Sequence, residues 1–151
     1  MLSAIRATGV SIVMLPLLVS FALAQGEPLR PALLVPDELT WAPGPAGALL
    51  ARVVNDSTKP GIYVVRAKFP AGFRVPPHFH PDDRIVTVLS GTVYVGYGEQ
   101  FDESKMKALP AGSVWTEPAN QPHFAWAKDG EAVIQTLGYG PSGTTPIKPR
   151  Q

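Results

Sequence analysis

The chain predicts an all-β domain, a sandwich or barrel of short strands, and three observations carry that expectation. Seventeen prolines and 14 glycines are spread along the 151 residues rather than clustered, which suits many short elements joined by tight turns. Short runs rich in β-branched and aromatic residues recur between those breaks. Turn clusters separate the runs at the spacing found in β-sandwiches and barrels.

Taken in order, residues 1–24 read as a signal peptide. Arg6 supplies its positive charge, and residues 10–23 form a short, mostly apolar run that includes Ser11, Pro16 and Ser20. Ala22-Leu23-Ala24 places small residues where a signal peptidase reads them, before the polar shift at Gln25-Gly26-Glu27. The run is shorter than the roughly 20 residues that cross a bilayer. The expectation is therefore cleavage after Ala24, no stable membrane anchor, and a periplasmic or secreted protein.

Residues 25–47 read as an extended arm, because Pro28, Pro31, Pro36, Pro43 and Pro45 forbid a regular helix. Such an arm suits a barrel edge or a partner subunit, so a homodimer is among the expectations. Residues 48–138 carry the barrel. The run 48–54 ends in Asn-Asp-Ser-Thr-Lys-Pro-Gly61, a turn cluster, and 62–69 ends in Pro70-Ala-Gly72. Residues 85–89 and 92–97 flank Ser90-Gly91, read as a tight hairpin. Residues 101–106 suit one helical turn. Residues 107–109 lead into Pro110-Ala-Gly112. Residues 113–117, 123–127 and 132–137 complete the strands, with Lys128-Asp129-Gly130 read as a hairpin turn. Residues 139–151 are left as a C-terminal tail. Gly138-Tyr-Gly140-Pro-Ser-Gly143 spells a dinucleotide-binding fingerprint, but no helix can open at that proline.

Charge and cysteine content exclude some functions. Thirteen basic residues face 12 acidic ones, with no basic stripe, so nucleic acid is not an expected partner. Cysteine is absent, which removes disulfides, zinc-thiolate sites and cysteine nucleophiles. Phe79, Trp115, Phe124 and Trp126 read as barrel packing, since aromatics dominate β cores.

The chain has three histidines. His78 and His80 are one residue apart in an extended segment, so both rings can face one ion. His123 follows a second strand-turn unit, in which Asn120 can take the positive φ of a tight return. Two such units, each delivering histidine at a strand entrance, are what a metal site inside a small barrel requires.

The spacing resembles the cupin superfamily. Gly72, His78, His80 and Gly91 fall in register with the family's first motif, which is glycine, five residues, His-x-His, three or four residues, Glu, six residues, Gly. Arg84 stands at the Glu position. Gly112, Pro118 and His123 match the second motif, whereas Asn120 replaces its glycine and Ala127 its final asparagine. The phrases Pro-Pro-His-Phe-His-Pro and Lys-Ala-Leu-Pro-Ala-Gly look like small secreted single-domain cupins. The resemblance implies a double-stranded β-helix, or jelly-roll, barrel. It also implies one divalent transition metal (iron, manganese, zinc, copper or nickel) on His78, His80 and His123.

Arg84 cannot ligate a metal, because a guanidinium offers no lone pair. Three readings stay open. The site uses three histidines with water or substrate in the other positions. Or Glu117, on the same strand face as Ser113 and Trp115, supplies the carboxylate. Or Arg84 turns to Asp82, Asp83 or an anionic ligand. Glu117 is also a candidate general base, with a pKa that burial would raise, and Arg84 a candidate clamp for a substrate carboxylate. Two functions follow: a metal-dependent enzyme, oxygenase- or isomerase-like, acting on a small organic molecule, or a non-catalytic cupin that binds or senses a small ligand.

Overall fold

A computed structural model describes residues 26–148; the expected signal peptide and its cleavage point after Ala24 lie outside them. Among the described residues, eleven strands form two antiparallel sheets that face each other as a jelly roll. They are β1 (Ala42–Pro43), β2 (Leu49–Val54), β3 (Gly61–Phe69), β4 (Arg74–Phe79), β5 (Arg84–Ser90), β6 (Thr92–Tyr97), β7 (Lys107–Pro110), β8 (Val114–Glu117), β9 (His123–Trp126), β10 (Ala132–Gly140) and β11 (Thr145–Pro146). One sheet runs β1-β2-β3-β10-β5-β8, the other β11-β4-β9-β6-β7.

Period-two alternation builds the core. Val86, Val88, Val93, Val95, Trp115, Ala125 and Ile134 point between the sheets and are buried, and Phe69 stacks on Phe73 with ring centroids 5.0 Å apart. Each fully buried valine or isoleucine contributes about 1.5–3 kcal/mol before chain entropy is charged against it. Trp115 and Phe124 are buried as expected of barrel packing.

Two expected hairpins turn out to be corners between sheets. Strand β5 pairs with β10 and β8, while β6 pairs with β7 and β9, so Ser90-Gly91 carries the chain across the sandwich. Gly91 has φ +73°, and a Cβ there would run into the Glu131 carbonyl oxygen. Lys128-Asp129-Gly130 likewise joins strands of different sheets. The β2–β3 connection is a true hairpin, with Asn55 at φ 48°. The helical turn expected at 101–106 is a single 3-10 turn, Glu103–Lys105, capped by Asp102.

Both ends of the described segment lie against the barrel. In the arm, β1 pairs with β2 on the sheet edge, and Glu27 is held by Pro60 and Asn55. In the segment read as a tail, β10 continues to Gly140, and β11 pairs with β4, setting Thr145 opposite Phe79 and Pro146 opposite His78.

Candidate metal centre

His78, His80 and His123 meet at one end of the barrel, all three buried. The histidine pair stands at the exit of β4, not at a strand entrance: His78 is its penultimate residue and His80 lies just beyond. His123 opens β9 and sits opposite His78 in the ladder. Asn120 returns the chain with φ 61°, and its N–H donates to the His80 carbonyl at 2.7 Å. One ring nitrogen from each histidine lies within 4.8 Å of the others.

Each imidazole is oriented through Nδ1. His78 donates to the Pro76 carbonyl at 2.8 Å, His123 to the Gln121 carbonyl at 3.1 Å, and His80 to the Gly143 carbonyl at 2.6 Å. A carbonyl can only accept, so Nδ1 carries a proton in all three rings, and a ring that is neutral presents its lone pair at Nε2. Burial, then the neighbouring His123, push the His78 pKa down to about 4. Burial and the Arg84 charge lower His80 as well. Both rings are therefore neutral at pH 7, the form that binds metal.

Glu117 ends β8 and enters the same cluster. Its Oε1 accepts from Trp115 Nε1 at 3.1 Å and stands 3.3 Å from His123 Nε2, while Oε2 stands 3.7 Å from His80 Nε2. Where the ring is neutral, such an approach sets a lone pair against a carboxylate, and a cation between them would relieve the repulsion. Glu117 Oε2, His123 Nε2 and Arg84 Nε are all buried without a hydrogen bond, an arrangement that costs stability unless something fills it. A divalent ion fits this donor set. Burial alone would raise the Glu117 pKa, as the sequence suggests, but His123 and the Arg84 guanidinium outweigh it and hold the carboxyl at about 2. A group so acidic is a poor general base near neutral pH and a good anionic ligand.

Arg84 pairs directly with Glu117 across the β5–β8 ladder, its Nε 3.3 Å from Oε2. It does not turn to either aspartate. Asp82 accepts from the Tyr63 hydroxyl at 2.7 Å and from Ser142 at 2.6 Å, and Asp83 from the Ala119 N–H at 2.7 Å. Burial, with Asp82 beside it, raises the Tyr63 pKa to about 12, so its hydroxyl remains a donor. Gly138 makes room for this network, because a Cβ would come within 2.5 Å of the Tyr63 oxygen.

Sequence reasoning misses this second layer. Gly143 orients His80 through a main-chain carbonyl, which leaves no mark in residue type. Ser142, Asp82 and Tyr63 anchor the segment carrying it, and they come from three distant stretches of chain.

A two-sheet jelly roll with histidines converging at one end defines a cupin-type barrel. The comparisons agree: residues 65–136 match the Cupin domain model, so the chain carries a cupin domain over that stretch. A 73-residue stretch is 40% identical to germin-like protein 8-1 of Oryza sativa subsp. japonica, covering 46% of this chain and 33% of that protein. The chain thus spans about a third of that relative's length. Among solved structures, KdgF from Halomonas sp. is similar with a TM-score of 0.60 at 22% identity, over 79% of this chain and 96% of that one. The polyketide cyclase RemF from Streptomyces resistomycificus gives a TM-score of 0.65 at 12% identity, over 81% and 89%. At such identities the structures speak for the fold alone.

Proposed function

We propose that this protein is a metal-dependent enzyme acting on a small organic molecule. Its divalent transition metal would be held by His78, His80 and His123, with Glu117 as the fourth ligand. The observation that carries this is the convergence of three buried imidazoles, each held at Nδ1 by a main-chain carbonyl, beside a buried carboxylate with an unpartnered oxygen. A bound ion would supply Lewis-acid or redox chemistry at that point. The protein's own part is to keep the imidazoles neutral, hold Glu117 ionised, and exclude water with Trp115 and the valines behind it. Arg84 beside the centre suits a negatively charged group on the substrate. The similarity to a polyketide cyclase is consistent with small-molecule chemistry in such a barrel, and the leader-like N-terminus favours work outside the cytoplasm.

Elemental analysis of protein purified from its native compartment tests the reading. About one transition-metal ion per chain is expected, and His80→Ala should lose both the ion and turnover. Absence of any bound transition metal, even after reconstitution, would sink it.

A further inference from the structure

The Glu117 carboxylate stands between a fixed cation and the imidazoles. Its Oε2 lies 3.3 Å from Arg84 Nε and 3.7 Å from His80 Nε2, and its Oε1 lies 3.3 Å from His123 Nε2. One carboxyl group therefore separates the guanidinium from the nitrogens that would hold an ion. Arg84 and Glu117 share a rung of the β5–β8 ladder, at positions that alternate with the exposed Ile85 and Thr116, so both side chains enter the barrel. Arg84 Nε is buried without a hydrogen bond. Its charge is permanent, since arginine does not lose its proton in proteins. The two aspartates before it are committed elsewhere, Asp82 to Tyr63 and Ser142, and Asp83 to the Ala119 N–H.

The charge that the protein presents to an ion follows from these groups. An imidazole that binds through Nε2 and keeps its Nδ1 proton brings no charge. Glu117 brings one negative charge and Arg84 one positive, so together they cancel. Three histidines and a glutamate without the arginine would present one net negative charge. An ion that loses an electron gains a positive charge, and here no net anion offsets it. Burial sharpens the penalty, because the guanidinium is poorly screened inside the barrel. The same lack of neutralisation leaves a divalent ion a stronger attractor for a substrate oxygen that gains negative charge.

We propose that Arg84, a positioning residue acting through Glu117, holds the ion in its divalent state and fits the centre for Lewis-acid chemistry on a small carbonyl compound, not for redox turnover. The proposal rests on the metal reading above and narrows it. The reactions it admits are those in which a substrate oxygen gains negative charge while the ion keeps its electrons: isomerisation, cyclisation or elimination next to a carbonyl.

The test loads the full chain with ferrous iron under nitrogen, poises it with redox mediators at a series of potentials, and reads the ferric fraction by electron paramagnetic resonance. Arg84→Gln should raise the ferric-to-ferrous ratio at a fixed potential about tenfold or more, a midpoint lower by about 59 mV for the tenfold change. Arg84→Met carries the same expectation and serves if the glutamine variant does not fold. Arg84→Lys keeps the charge and should stay within about threefold of wild type. Arg66 pairs with Gln135, three residues along β10 from the partner of Arg84, and Arg66→Gln should leave the ratio unchanged. The proposal is overturned if the neutral Arg84 variants leave the ratio unchanged or lower it, if Arg84→Lys shifts it as far as they do, or if Arg66→Gln matches them. Iron binding without the Arg84 shift removes this proposal and leaves the metal reading intact. Refusal of iron alone also removes it, and refusal of iron and zinc alike overturns both.

Discussion

Protons and metal ions compete for the same imidazoles, and burial has tilted that contest. An unfolded histidine titrates near 6.5, whereas burial holds folded His78 to about 4. Between those values the unfolded chain takes up a proton that the folded one refuses, so stability falls as pH drops through that window. The loss from His78 alone is on the order of 3 kcal/mol. Glu117 has the same sign further down: its carboxyl sits at about 2 instead of 4.5, so its share is lost as pH falls from 4.5 to 2. Urea unfolding of chelator-treated protein should therefore show a midpoint that declines steadily below about pH 6.5. A flat profile down to pH 4 would mean that His78 is not buried as described. At this scale the sequence was informative about which side chains matter, since chain-wide scarcity made three histidines conspicuous. It misjudged the direction of the Glu117 shift, because the partners that reverse it lie on other strands.

Strands rather than residues decide where the carboxylate comes from. Arg84 on β5 and Glu117 on β8 occupy one rung, so moving the acid to the adjoining strand keeps it at the same end of the barrel. The segment from Pro141 to β11 is the other element with a role at the site, through Gly143 and the Ser142–Asp82 bond. Ser142→Ala should loosen that segment and weaken metal binding about tenfold, for a stability cost of only about 1 kcal/mol. Chelator competition and urea unfolding of the same variant separate the two effects; equal losses in both would make Ser142 merely structural. The strands easiest to anticipate were those with unbroken β-branched runs, β3, β5 and β10. Strand β4 was hidden because Pro76 and Pro77 remove two donors, and the ladder tolerates them through a register shift between Val75 and His78. Both mistaken hairpins arose because a tight turn looks the same in sequence whether it folds a strand back or sends it to the opposite sheet.

For the molecule as a whole, three orphaned polar atoms in a cluster of buried histidines make the metal-free state the less stable one. Loading at a thousandfold excess over the dissociation constant should add about 4 kcal/mol, raising Tm by on the order of 10 °C. Calorimetry with and without a chelator checks this, and coincident transitions would argue against a metal-filled native state. The architecture was legible in advance from two motifs in register; the closure of the site by the segment after β10 was not. His78 and His123 each take their orientation from a carbonyl two residues earlier, whereas His80 takes its own from Gly143, 63 residues later. Two imidazoles can thus be aimed as soon as their own strands form. The third waits for the stretch around Gly143 to leave the ribosome and dock. Docking of the segment after β10 becomes a condition of metal capture, so a copy truncated before Gly143 would carry its histidines without being able to hold an ion tightly.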